Sequence, residues 1–180
     1  MNQSPEPHQA PKSRGMPVAL TVVLLAIAAL VVVVGVMTAL VIYGTRKRTK
    51  AVRTAEAHNS LGQLAKDAAL AYERDHKICP SASRPVPPVA SRVSAMKYQS
   101  VAADWEVDKA SDAGFYCLRF SMTTPQHYQY DYKATATGFT VTARGDLDGD
   151  GVFSEFRLDG TLVGGTLKVA PWFKEQDPDE

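Results

Sequence analysis

Three carboxylates at alternate positions, Asp146, Asp148 and Asp150, followed at once by Gly151, are the residues of this chain best suited to chemistry. Aspartates alternating along a tight turn converge their oxygens, and a hard cation such as calcium takes about six to eight oxygen ligands. The glycine permits the sharp bend. Val152 would add a backbone carbonyl, and Glu155 a further carboxylate. The pattern matches the first half of an EF-hand loop. The position where that loop needs a bidentate glutamate is Arg157, however, and strands are expected on both sides. The expected ligand set is Asp146, Asp148, Asp150, Val152 and Glu155, holding Ca2+ at modest affinity. The alternative is a solvated Asp-Gly turn whose aspartates accept hydrogen bonds from backbone amides.

No other constellation reaches that level. His8, His58, His76 and His127 are scattered, and the chain has no GxSxG elbow, GxGxxG or GxxxxGK[ST]. No enzymatic activity is expected. The two cysteines, Cys79 and Cys117, sit in no CxxC motif. In a domain outside the cytosol they are expected to form one disulfide, closing a loop of about 40 residues and adding about 3–4 kcal/mol. Two buried thiols are the alternative. Tyr128, Tyr130 and Tyr132 alternate on one strand face, which packs on a helix or else stacks a ring-shaped ligand.

The positioning elements begin with an apolar run. Residues 16–43 carry no charge and exceed the roughly 20 residues a helix needs to cross a bilayer. A cleaved secretory signal has a shorter apolar region, so a retained transmembrane helix is expected over 16–43. Residues 1–15 are polar and contain three prolines, and are expected to be a disordered leader or tail. Arg46, Lys47, Arg48, Lys50 and Arg53 follow the run as a membrane-interface cluster able to meet anionic head groups. With Lys12 and Arg14 they take seven of the 20 basic residues. From Thr54 on the chain holds 13 basic and 18 acidic groups, a net charge of −5. That balance, with +1 overall, gives no footprint for nucleic acid.

No proline interrupts the chain between 44 and 77, so an amphipathic helix is expected to continue the apolar one there. Ala57, Leu61, Leu64, Ala68 and Tyr72 form its apolar stripe, with Arg53, Glu56, Gln63, Lys66, Asp67 and Arg74 opposite. Residues 79–91 hold four prolines and read as an extended loop. Strands are expected at 115–122, 127–133, 138–143 and 152–158, with a short edge strand at 166–169. The fold class is α+β: a long N-terminal helix, transmembrane in its inner half and amphipathic in its outer half, packed on a small antiparallel sheet. The head spans 78–173, and 174–180 reads as a disordered tail.

This organisation resembles the type IV pilins and type II secretion pseudopilins. Lys12, Arg14 and Gly15 resemble a prepilin leader with cleavage between Gly15 and Met16, and Tyr43 through Arg46, Arg53, Glu56 and Ala57 to Leu61 resembles the outer pilin helix. The resemblance implies a structural subunit in the bacterial inner membrane, single-pass, with an extracytoplasmic head. N-methylation of Met16 and a place in a cell-surface fibre would go with it. Its partners would be the membrane, other pilin-like subunits and inner-membrane secretion proteins. The family motif after the glycine is Phe-Thr-Leu-x-Glu, whereas this chain has Met16-Pro17-Val18-Ala19-Leu20. Leucine in place of the glutamate implies a minor or membrane-retained subunit. Counting basic residues at both ends of the span favours a cytoplasmic head; the cysteines and the resemblance favour the outside. The competing reading is a non-polymerising, membrane-anchored extracytoplasmic binding or accessory domain, calcium-dependent or not.

Overall fold

The computed structural model describes residues 18–178, and only the backbone at Val18, Ala19, Thr21 and 43–51. Helix α1 covers Val18–Asp75. The chain divides into two compact units, Met1–Arg46 and Lys47–Glu180. In the first, Val22–Ile42 is long and apolar enough to cross a membrane, and none of it is buried within the protein. Its one hydroxyl, on Thr38, donates to the Val34 carbonyl at 2.7 Å. That bond within the helix leaves no side-chain donor unmet in an apolar medium.

In the second unit, α1 presents Ala57, Leu61, Leu64, Ala65, Ala68 and Ala71 to the core. Small alanines leave room for the large rings they face, namely Tyr128, Tyr130, Tyr132, Phe139 and Phe156. The expected stripe is thus present and is widened by Ala65 and Ala71. The helix stops where His76 turns left-handed (φ 50°) and its N–H bonds to the Tyr72 carbonyl at 2.7 Å.

The sheet is antiparallel throughout, in the order β1 (Gln129–Thr135), β2 (Gly138–Gly145), β3 (Ser154–Val163), β4 (Thr166–Val169). Alternation decides which residues face the helix: Tyr130 and Tyr132, Phe139, Val141 and Ala143, and Phe156 and Leu158 are all buried. β3 and β4 are joined by Gly164 and Gly165, both with positive φ, the backbone that a two-residue hairpin of type I′ requires. The outer edge of β1 is covered by the proline-rich segment. Val86 and Tyr130 exchange backbone bonds of 2.8 and 2.9 Å, and the Ala82 N–H reaches the Tyr132 carbonyl at 3.0 Å. Covering an edge in this way removes a template for unwanted strand pairing.

Two expectations need correction. Residues 115–122 are not a strand: α2 (Ala102–Trp105) is followed by α3 (Gly114–Leu118), after which Arg119 turns left-handed. Burial at 114, 115, 117 and 118 follows a helical spacing. Here a local cluster outweighs the strand preference of aromatic residues. Trp105 packs edge-on to Phe115 and Phe120, and Cys117 is bonded to Cys79. That disulfide, expected from the sequence, joins Cα atoms 5.9 Å apart.

The second correction is the tail. Lys174–Gln176 forms β5, which pairs with β3 through Phe156 and Glu175. Phe173, just before it, stacks on His58 of α1 with ring centroids 4.4 Å apart. Polar residues suffice for β5 because side chains of α1 and β3 meet it: Lys174 forms an ion pair with Asp159 at 2.9 Å, and the Glu175 carboxylate lies 3.0 Å from the His58 ring Nε2.

Asp159 gathers this corner. It accepts from Thr140 (2.7 Å), Arg157 (2.9 Å) and Lys174 (2.9 Å). Burial alone would raise its carboxyl, but the bonds from Lys174, Thr140 and Arg157 outweigh that and lower it from 3.8 to about 2. A carboxylate whose folded value lies below its unfolded one adds stability above pH 4, and loses it as pH falls toward 2. Asp159→Asn is therefore expected to cost about 1–2 kcal/mol at pH 7 and little at pH 2. Urea unfolding at the two pH values checks this, and an equal loss at both would refute it.

Candidate metal centre

The acidic loop joins β2 to β3, and the Gly145–Ser154 pair closes its neck. The Ser154 hydroxyl donates to the Gly145 carbonyl at 2.9 Å there. Leu147 is buried and plugs the loop onto the core. Two outside elements hold the loop. Arg53 of α1 donates to the Leu147 carbonyl at 3.0 Å, and the Ala95 N–H donates to the Asp146 carbonyl at 2.8 Å. Gly149 (φ 83°) and Gly151 (φ 93°) supply the left-handed bends, and a methyl at 149 would meet the Ala95 side chain at 2.9 Å.

Within that frame, carboxylate oxygens of Asp146, Asp148 and Asp150 lie within 4.8 Å of one another. Asp146 is fully buried, whereas Asp148 and Asp150 are exposed. One Asp146 oxygen accepts the Gly149 N–H (2.6 Å); the other accepts the Gly151 N–H (3.2 Å) and the Ser94 hydroxyl (2.5 Å). Burial would raise this carboxyl, but the bonds from Ser94 and from the amides of Gly149, Gly151 and Asp150 outweigh it and hold it below 3.8. It is therefore charged at neutral pH. Asp150 accepts the Val152 N–H at 2.7 Å.

The loop thus forms the amide-capped turn expected as the alternative, and its three carboxylates still lie close enough together to share an ion. Each ionised carboxylate offers about four lone-pair sites, so amide bonds leave capacity for a cation. The three like charges gain from one, and the group could hold a metal ion.

Glu155 does not join them. It sits on β3 opposite Arg144 and pairs with it at 3.3 Å, because strand alternation turns it to the outer face. Val152 follows Gly151 at the rim, with its N–H committed to Asp150. Of the basic cluster, the side chains of Arg46, Lys47, Arg48 and Lys50 lie outside the described residues, as do Gly15 and Met16. Arg53 serves the loop, as described above.

A second polar centre gave no sequence signal. Glu56 accepts the His127 N–H at 2.8 Å, faces the His127 ring Nδ1 at 2.7 Å, and receives the Tyr130 hydroxyl at 3.3 Å. Helical spacing alone places Glu56 on the polar side of α1, opposite the apolar stripe. Burial, with the Glu56 charge second, pushes the Tyr130 hydroxyl well above its usual value. No family model, curated protein or solved structure matches this chain.

Proposed function

We propose that this chain is a single-pass, membrane-anchored structural subunit of the type IV pilin or type II secretion pseudopilin kind, minor or membrane-retained, without enzymatic activity. The observation that carries this reading is helix α1. Its Val22–Ile42 segment is apolar on every side, and its later turns are the buried spine of an antiparallel α+β head. The Cys79–Cys117 disulfide supports an extracytoplasmic head, since such bonds persist in oxidising compartments. Mass spectrometry of the membrane-purified protein tests the reading. Met16 as first residue, N-methylated, is the expected result; an intact segment 1–15 would sink it. Leu20, standing where the family has glutamate, favours as second reading a membrane-anchored accessory domain that does not polymerise.

In either reading the acidic loop takes Ca2+, its oxygen-only ligands suiting a hard cation. Without a bidentate glutamate its affinity falls in the range of extracellular modules, about 0.1–1 mM. About 10 mM Ca2+ should then raise the melting temperature of the head by roughly 5–10 °C. Asp148→Ala should abolish the rise. Thermal denaturation with and without the ion decides it, and no shift in the unmutated protein would dismiss calcium.

A further inference from the structure

A cavity of about 660 Å³ opens where the last turn of α1 meets α2, α3 and the residues after α3. Its size falls within the roughly 300–1,000 Å³ typical of small-ligand sites. One wall is aromatic: Trp105, Phe115 and Phe120 are buried, with Trp105 edge-on to the other two at 5.0 and 5.3 Å. The buried Trp105 Nε1–H has no acceptor among the described residues, an exception to the usual pairing of buried donors.

The rim is charged, and its charges are unequally committed. Arg74 is held by Asp75 at 2.9 Å and Glu106 by Lys109 at 3.1 Å. Arg119 and Asp112, by contrast, make no side-chain hydrogen bond or ion pair among the described residues. Their electrostatic contacts are weaker, Arg119 with Asp75 and Asp112 with Arg74. These same two residues have left-handed backbones, φ 58° and 48°. Both residues end short helical turns, Asp112 after 109–111 and Arg119 after α3, and that places their side chains at the mouth of the cavity. An exposed arginine or aspartate alone is ordinary. Here one uncommitted cation and one uncommitted anion, each fixed by a helix end, border a single aromatic wall.

The cavity lining is also cross-linked to the rest of the head. Cys117 in its lining is bonded to Cys79, the Gly114 N–H donates to the Pro80 carbonyl at 2.9 Å, and Arg74 reaches the Cys117 carbonyl at 3.4 Å. A preformed site loses less freedom on binding.

We propose that this cavity binds a zwitterionic ligand with an apolar side group, of about dipeptide size. Arg119 takes its carboxylate, Asp112 takes its ammonium, and the Trp105–Phe115–Phe120 wall takes its side group.

Calorimetric titration of the full-length protein in detergent micelles with the dipeptide Ala-Phe tests this, with empty micelles as reference. Saturable binding is expected, and acetylating the amino end or amidating the carboxyl end should each weaken it about tenfold or more. Arg119→Gln should remove the sensitivity to amidation, and Asp112→Asn the sensitivity to acetylation. Asp112→Asn is isosteric, and Arg119→Gln keeps a polar side chain while removing the charge. The capped peptides test the unmodified protein directly, so the result does not depend on how either variant folds. The proposal is overturned by no saturable heat at about 10 mM peptide, by a doubly capped peptide that binds as well as the free one, or by binding indifferent to both substitutions.

Discussion

Gly160→Ala is expected to destabilise the head by about 2–3 kcal/mol, the cost of overpacking a filled core. Gly160 lies on β3 directly opposite Phe139 of β2, and the Phe139 ring covers its Cα. A methyl group built there would overlap that ring at three atoms. The ring has little freedom to give way, because Phe139 is buried and packs beside Tyr132 with centroids 5.9 Å apart. The effect should be local to this pair. Phe139→Leu alone costs stability through lost packing, yet in the Gly160→Ala background it removes the obstacle. The double variant should therefore be more stable than the sum of the two losses by about 1 kcal/mol or more. Urea unfolding followed by the near-ultraviolet signal of the buried rings measures all three. Strict additivity would show that the ring moves aside freely, and that the packing described here is looser than its geometry.

Removing the Glu56 carboxylate should cost about 2–4 kcal/mol. The source of the loss is desolvation. Glu56→Ala leaves the His127 N–H, the His127 ring and the Tyr130 hydroxyl without their acceptor at a part-buried site, and an unmet buried donor costs more than its bond contributes. Glu56→Gln keeps one oxygen acceptor and loses only the charge, so its cost should be about 1 kcal/mol. A cycle with His127→Ala apportions the rest, with a coupling of about 1 kcal/mol or more expected for residues in one network. Equal, small losses for both Glu56 variants would mean that water replaces the carboxylate without penalty. The consequence reaches past stability. Glu56 joins α1 to the first residues of the sheet, and Arg53, one turn earlier, joins the same helix to the acidic loop through Leu147. Loosening the first contact should therefore also weaken the calcium-dependent gain in melting temperature that is proposed for the loop.

Features that repeat along the chain were legible in it. The charge-free run from Val22 to Ile42 speaks through composition alone. The alternation of Tyr128, Tyr130 and Tyr132, and the spacing of Ala57, Leu61, Leu64 and Ala68, are periodic because burial is periodic in a strand or a helix. The acidic loop was legible for a related reason: its three aspartates lie within one turn, so their spacing already implies that they converge.

The tertiary structure decided what depends on distant partners. Glu56 and His127 are 71 residues apart, and only the packing of α1 on the start of β1 turns a residue of the polar side into a buried acceptor. Glu155 lies close to the acidic turn in sequence, but Arg144 across the strand pair claims it. Residues 114–118 have the composition of a strand and become a helix because the disulfide and the Trp105 cluster hold them. β5 reads as a polar tail until His58 and Asp159 give it something to pair with. The sequence by itself thus determined the apolar span, the α+β class and the convergence of three aspartates, all of which rest on local periodicity. Which charges are spent inside the fold, and which remain free for a ligand, was decided only by the contacts that folding brings together.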